Sequence, residues 1–380
     1  MTNPILADAI AHETNGVLTY AGAFAVLRDA KAPMNATLFA ELQAVADDLN
    51  AAGGISTSAY VQQMFDNVVL GNSANAYWNG GADIATKLGN LSATSTQAQY
   101  NELMDKWFLG SDLPGVSPAP GLIGVATSYE DYALPLFTSA GPEITDVSQG
   151  AAGDCWFLAA LAESAMLDPT LIENMITPHA NGTYSVDFQV NGQSDYVTVN
   201  DDLPTYTGGA KQLDGSTMEF ANSTPSLWVP LVEKALAQLS EQSGVVTGLL
   251  YHGGQDQYYE LNSGLGGGIS LITGQSTSSY TLQGDTPNTL TRLLGTLESS
   301  LAAGNDVLLG TSDLRVYNNL MSDHMFAVTA INATTDMVQL HNPWGADTIG
   351  VGKPEDFWIP ASALVADQAS FFAANGTVTA

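Results

Sequence analysis

The spacing of apolar residues changes along this chain, and that change decides what it can fold into. In the first 110 residues Leu38, Leu42, Val45 and Leu49 recur at helical spacing, and Tyr60, Met64, Phe65 and Val68 do likewise. Each segment therefore has one face to bury against other helices. Gly53-Gly54 and Asn79-Gly80-Gly81 break these segments, as glycine pairs do between elements. Late in the chain the pattern turns to strands, at 307–311, 325–331 and 337–340, and Ala333-Thr334-Thr335-Asp336 can turn the last two back on each other. Helical and strand periods in separate stretches predict an α+β protein of more than one unit.

The stretch between these two regimes is mixed. Prolines and glycines cluster at Pro114, Gly115, Pro118, Pro120, Gly121 and Pro135, which reads as a linker or a segment laid along a surface. A strongly apolar helix is expected over 155–166 and an amphipathic one over 227–239. Residues 184–190 and 196–199 alternate around Asn191-Gly192, the pattern of a hairpin. The glycines at 264–268 suit a crossover between two halves. The expected units are a helical region 1–110, a linker 111–140, and two further units, 141–265 and 266–380. There is no internal repeat.

With 380 residues, each unit has enough chain to bury its own core. Nine basic residues face 39 acidic ones, a formal charge of -30, although only 13% of residues are charged. The imbalance is a shortage of lysine and arginine, as in some bacterial exported proteins. Such a field repels nucleic acid and anionic lipid and attracts divalent cations. A single cysteine forms no intramolecular disulfide, which leaves a lone thiol to be explained. The start of the chain lacks the pattern of a secretory signal, so residence in the cytoplasm or signal-independent export is expected. No apolar stretch approaches the ~20 residues that span a bilayer, so no membrane insertion is expected.

That thiol lies in Gln149-Gly150-Ala151-Ala152-Gly153-Asp154-Cys155-Trp156-Phe157. Two glycines permit a close backbone approach, and Cys155 opens the expected helix, where free amides and the positive dipole end favour a thiolate. A free cysteine beside apolar residues is more often plain core, so the case needs partners. Of five histidines, His12, His179 and His252 sit in polar or glycine-rich surroundings typical of exposed sites, whereas His324, in Asp323-His324-Met325-Phe326, opens an apolar strand. The next strand ends in His341-Asn342-Pro343-Trp344-Gly345. The hairpin brings His324 and Asn342 to one open end, while His341 points to the opposite side of its strand. An asparagine oxygen that accepts from the histidine ring fixes its tautomer and aims the other nitrogen at a thiol. Taken singly, His324 is an ordinary strand-edge histidine and Asn342-Pro343 an ordinary turn.

Together these segments resemble the calpain family of papain-like cysteine proteases, in a bacterial form without EF-hand domains. The family's Gln-Gly, Gly-Asp-Cys-Trp and alanine-rich helix are matched over 149–162, and Asp-His with its apolar strand and Asn-Pro-Trp-Gly follow in family order. Residues 199–205 and 227–235 also look like core segments of that family, and the resemblance covers about 141–363. It implies a papain-like core in two subdomains, one mainly helical with Cys155 and one an antiparallel sheet with His324 and Asn342. It further implies a nucleophile at Cys155, a general base and acid at His324, an orienting amide at Asn342 and an oxyanion-hole donor at Gln149. Trp344 matches a tryptophan that packs between the halves of the cleft and shields the His324 to Asn342 bond; Gly153 and Trp156 adjoin the nucleophile. The family core can bind calcium, for which Gly141 and Asp146 in one half, and Asp347 and Asp356 in the other, are the candidates. Asp214 and Glu219 match the first set's acidic partner imperfectly, and Pro354 stands where the second set expects an acid. Both departures count against calcium control.

The expected reaction is hydrolysis of protein or peptide substrates through a thioester acyl-enzyme, with no metal or organic cofactor in the chemistry. Acyl transfer to an amine would use the same thiol and imidazole, and a binding protein could keep the fold without turnover. The helical region 1–110 is expected to contact the protease core, either as a pro-segment released by self-cleavage in the linker or as a partner-binding or stability unit.

Overall fold

A computed structural model describes residues 3–30, 33–82, 84–116, 127–206, 221, 226–242, 257–262, 267–314, 317–345 and 354–375. Helices α1 (Pro4–Ala11), α2 (Tyr20–Asp29), α3 (Ala36–Leu49), α4 (Ala59–Val69) and α5 (Gln97–Leu109) build the N-terminal unit. Each begins at a side chain that accepts from its first free amides: Asn3, Thr19, Asn35, Ser58 and Thr96, the groups a helix start leaves unpaired. The eight apolar residues singled out by their spacing in α3 and α4 all enter one buried cluster. Two short antiparallel pairs, β1 (Glu13–Thr14) with β2 (Val17–Leu18) and β3 (Tyr77–Trp78) with β4 (Thr86–Lys87), make the unit less than purely helical. Asn15 and Gly16, at φ +55° and +75°, supply the turn of the first pair.

The described ends of the proline-rich stretch are tied to the rest of the fold. Asp112 is buried and accepts from the backbone of Asn79 and Gly80. Strand β5 (Thr127–Asp131) lies antiparallel along a strand at 202–206.

In the middle unit α6 (Cys155–Leu167) is followed by α7 (Pro169–Met175), then by β6 (Ile176–Pro178), β7 (Thr183–Val190) and β8 (Gln193–Asn200), which form a three-stranded antiparallel sheet. Asn191 and Gly192, both at positive φ, close the β7–β8 hairpin as expected. Strand β9 (Asp202–Tyr206) is the partner of β5, and α8 (Trp228–Leu239) and α9 (Gly268–Thr273) complete the unit. Glycines 267 and 268 thus open a helix packed on α6, where a Cβ at Gly268 would stand 2.7 Å from the Trp156 carbonyl oxygen. Helix α8 is not amphipathic in context: all twelve of its residues are buried. Its lysine, Lys234, donates to the carbonyls of Asn200 and Asp202, and Gln238 donates to the Asp112 carbonyl. Polar side chains on α8 therefore meet protein where solvent was expected.

The last unit begins with β10 (Thr277–Thr281) and the sixteen-residue α10 (Pro287–Ala302). Strands β11 (Val307–Gly310), β12 (Met325–Asn332), β13 (Met337–His341) and β14 (Asp356–Pro360), helix α11 (Ala361–Asp367) and strand β15 (Ser370–Ala374) follow. The six strands form an antiparallel sheet in the order β10-β15-β11-β12-β13-β14. Both faces of its centre are covered. Val307, Leu309, Phe326 and Val328 join the leucines of α10, while Leu308, Met325 and Ala327 join the core around α6. Burial on both faces explains the unbroken apolar run that opens β12. It also lays α6 against β12, which brings the start of one toward the start of the other.

Candidate active site

Cys155 is the first residue of α6, and Asp154 before it caps the helix without a side-chain bond to its amides. The turn that leads to it is tied on two sides. The Gln149 amide donates to the Pro343 carbonyl at 2.8 Å, and the Gly153 amide donates to Asn262 Oδ1 at 2.6 Å. A Cβ on Gly153 would lie 2.1 Å from that same oxygen, so only glycine fits there. Gly345, at φ +75°, supplies the left-handed backbone of the turn after Asn342, where a Cβ would lie 3.3 Å from Ser148 Oγ.

His324 is held by three groups. Its amide donates to Thr311 Oγ1 at 3.0 Å, its carbonyl accepts from the Thr311 amide at 2.9 Å, and its Nε2 lies 2.9 Å from Asn342 Oδ1. The Trp344 amide also donates to Asn342 Oδ1, at 3.2 Å. An atom that receives a backbone N–H is an acceptor, so Nε2 carries the imidazole proton and Nδ1 is left bare as the basic nitrogen. The Trp344 ring packs against the imidazole with centroids 4.7 Å apart, and Phe326 meets its edge-on side at 4.8 Å.

Cys155, His324, Gln149, Gly153 and Trp344 line one cleft of about 800 Å³. No hydrogen bond between Sγ and the imidazole is present among the described residues, and the surroundings keep both groups neutral. Burial pushes the Cys155 thiol up to about 11, against weaker opposition from the Met325 and Trp156 amides. Burial also lowers His324 to about 4, opposed by its bond to Asn342. The helix start therefore does not deliver the resting thiolate expected of it, because desolvation outweighs the favourable amides.

Beneath the thiol, burial raises Asp154 to about 7, and hydrogen bonds to Glu233 of α8 and to Gln149 act in the opposite sense. Gln149 Nε2 donates to the Ala152 carbonyl at 2.7 Å and to Asp154 Oδ1 at 3.3 Å, and its buried Oε1 has no partner among the described residues. Both N–H groups of the expected oxyanion donor are thus engaged with the turn itself.

Trp156, expected to adjoin the nucleophile in a packing role, is buried in the core and is not among the described residues that line the cleft; its Nε1 donates to the Leu261 carbonyl at 2.9 Å. On a helix buried on all sides, the residue after the nucleophile turns inward. His179 is likewise no exposed histidine: it stacks on Tyr20 and Tyr60 of the N-terminal unit, with centroids 4.3 and 5.0 Å apart. His341 is buried and its Nδ1 lies 3.0 Å from Asp356 Oδ1. His252, Asp347, Asp214 and Glu219 fall outside the described residues.

Of the calcium candidates, Asp146 Oδ2 accepts from the Glu143 amide and from Trp228 Nε1, and Asp356 Oδ1 lies against His341 Nδ1.

Two cleft residues carry no signal that composition or periodicity could supply. Asn262 follows an ordinary turn, and only its fit to Gly153 reveals it. Asp323 lies beside the histidine at φ +52° with an exposed side chain, and with Tyr317, Leu320, Met321 and Ser322 it forms one wall.

The family model described as "Calpain family cysteine protease" matches residues 128–350. The chain is 30% identical over 232 residues to Calpain clp-4 of Caenorhabditis elegans, covering 57% of this chain and 29% of that protein. It is 31% identical over 222 residues to the Calpain-type cysteine protease DEK1 of Arabidopsis thaliana, covering 55% and 9%. With the Calpain-2 catalytic subunit of Mus musculus it shares 26% over 233 residues, covering 57% and 30%. The chain spans less than a third of the length of each of these relatives.

Proposed function

The chain belongs to the calpain family of cysteine proteases, and from that membership we propose that it is an endopeptidase whose nucleophile is Cys155, served by His324 and Asn342 in a papain-like arrangement of a helical and a sheet subdomain. The observation that carries the reading is the 2.9 Å contact of His324 Nε2 with Asn342 Oδ1, which leaves a bare Nδ1 in the cleft that Cys155 also lines.

As Sγ attacks the scissile carbonyl carbon, Nδ1 takes its proton, so charge develops only as the bond forms. The resulting oxyanion is met by the Cys155 amide and by Gln149 Nε2, once Gln149 gives up one of its bonds to the turn. The C–N bond breaks as His324 returns the proton to the leaving amine. Water, deprotonated by the same nitrogen, then attacks the thioester carbon and the thiol leaves, reprotonated. Every proton in these steps is carried by groups of the chain or by water.

One observation favours the rival reading of a binding protein without turnover: the glutamine amide is engaged and the thiol and imidazole are neutral. A thiol-directed epoxide separates the two. Stoichiometric labelling of Cys155 with parallel loss of peptide cleavage is expected; a folded protein that neither labels nor cleaves sinks the protease reading.

Self-cleavage within 111–140 is the remaining finer proposal. None of the described residues that line the cleft comes from the first 110, so release of the N-terminal unit would have to act through the seam it shares with β7, β8 and α8. Incubating wild-type and Cys155→Ala protein side by side, with mass analysis of fragments, tests it. A wild type that stays intact ends the proposal.

A further inference from the structure

The wall of the cleft next to His324 carries a charge that no part of the fold uses. Asp323 sits at φ +52°, a region where a non-glycine residue is uncommon and where aspartate is tolerated mainly because its side chain bonds locally. Here the carboxylate makes no hydrogen bond or ion pair among the described residues, and it is exposed in the cleft. Local structure therefore accounts for the turn but not for the acid.

Among the described residues, the charges around it have the same sign. Apart from the reacting Cys155 and His324, Asp323 is the one ionisable carboxylate or base among the described residues that line the cleft; the others are Gln149, Asn262, Asn318, Ser322, tyrosine, tryptophan and small or apolar residues. Behind this wall Asp367 is buried, with Oδ1 accepting from the Ser312 amide at 2.8 Å and Oδ2 without a partner. Burial raises it, and the nearby charges of Asp313 and Asp323 raise it further. Three carboxyl groups thus share one side of the cleft, in a chain with 9 basic against 39 acidic residues.

We propose that Asp323 is a specificity-determining residue that selects peptide substrates with a lysine or arginine side chain flanking the scissile bond. The proposal rests on the protease reading above. Neighbouring Cα atoms are about 3.8 Å apart, so a carboxylate one residue from the base is within a side chain's length of the bond being cut. A long basic side chain can lie over Leu320 and Met321 with its cation on Asp323, whereas an acidic one would meet the Asp323 charge and the anionic groups behind it. Apposed charges of one sign discriminate against the wrong partner as strongly as opposite charges favour the right one.

The test is a set of internally quenched peptides, identical except for lysine, glutamine or glutamate on either side of a cleavage position first mapped by mass spectrometry. With the wild type, kcat/KM is expected to be about fivefold or more higher for lysine than for glutamine at one flanking position, the scale of a single partly solvated ion pair, and lower still for glutamate. Asp323→Asn, which tolerates the same backbone angle, should bring the lysine-to-glutamine ratio close to one. Asp323→Gly serves as a second variant suited to that angle. Raising salt from about 0.05 to about 0.5 M should shrink the wild-type ratio and leave the Asn variant's ratio unchanged. Cleavage of the glutamine peptide with no preference for lysine overturns the proposal and leaves the protease reading standing. An undiminished preference in both Asp323 variants overturns it as well. Cleavage of no peptide together with no epoxide labelling of Cys155 removes the premise, and the proposal with it.

Discussion

The seam between the helical unit and the rest of the chain buries a charge and surrounds it, whereas the cleft buries reactive groups and leaves them incompletely served. At the seam, Lys106 of α5 donates to Asp112 at 2.6 Å and to Glu241, with side chains that are 6%, 1% and 3% exposed. Tyr60 bonds Thr198, Thr198 donates to the Trp107 carbonyl, and Gln63 donates to Asp195. A Cβ on Gly110 would stand 2.7 Å from the backbone of Val199. In the cleft, by contrast, Gln149 Oε1 and Asp154 Oδ2 have no partner among the described residues, and burial raises the thiol and lowers the imidazole. Buried polar groups that are fully bonded hold a structure, and incompletely bonded ones mark where something else is meant to bind or react. Substitutions at the seam should therefore alter stability, and those in the cleft should alter rate.

The largest expected effect breaks the cleft alone. Cys155→Ala and His324→Ala should each lower kcat for a cleaved peptide by roughly a millionfold, as removal of a reacting group does. The melting temperature of Cys155→Ala should change little. Wild-type rates in either variant would refute the roles given to these residues.

How far the sequence disclosed this contrast depends on the range over which each part is determined. The β7–β8 hairpin, the helix that opens at Cys155 and the meeting of His324 with Asn342 were legible because a turn or a short strand spacing fixes them. Helix α10 was equally legible in principle, with Thr286 as cap, Pro287 in its first turn and Leu290, Leu293, Leu294 and Leu297 on one face, yet the sequence-based expectations above place no helix there. The full burial of α8, the inward turn of Trp156 and the stack of His179 on Tyr20 and Tyr60 were not legible, since each depends on an element distant in sequence. The neutral state of the cysteine and histidine belongs with these. Local sequence announces the helix start, but only the packing of β12 against α6 removes the water.

The next effect breaks the seam alone. Lys106→Ala leaves Asp112 and Glu241 buried without their cation, which typically costs about 3–5 kcal/mol. Urea titration at pH 7 should show that loss. The cleft's intrinsic rate should survive in whatever fraction stays folded. A neutral result would mean that the helical unit is held loosely enough to leave, and would revive the idea of a released pro-segment.

Gln149→Ala tests a residue with a place in both descriptions, since it bonds the turn and lines the cleft. Loss of one oxyanion donor predicts a fall in kcat of about 3 kcal/mol, on the order of a hundredfold, with KM little changed. If KM rises and kcat stays constant, the glutamine shapes the turn and does not meet the oxyanion.

The smallest effect is read on the thiol itself, and it asks whether burial or the helix start governs the cleft. With the thiol raised to about 11 and the imidazole lowered to about 4, alkylation of folded Cys155 by iodoacetamide should rise about tenfold per pH unit from pH 6 toward pH 10, without a plateau. At pH 7 the urea-unfolded chain, whose thiol has its ordinary value, should react on the order of a hundredfold faster, before any difference in access. Stability is linked to both shifts. A histidine lowered by burial contributes stability that is complete above its unfolded value of about 6.5 and is lost as pH falls toward 4, by roughly 3 kcal/mol in all. A thiol raised by burial contributes stability that is complete below about 9 and is lost as pH rises toward 11. The contribution of these two groups is therefore complete between about pH 6.5 and 9, and His324→Ala should remove the part that His324 adds on the acid side only. A plateau of alkylation from pH 5 to 8 that disappears in His324→Ala would mean instead that the imidazole and thiol form an ion pair in solution, with the cleft as fully compensated as the seam.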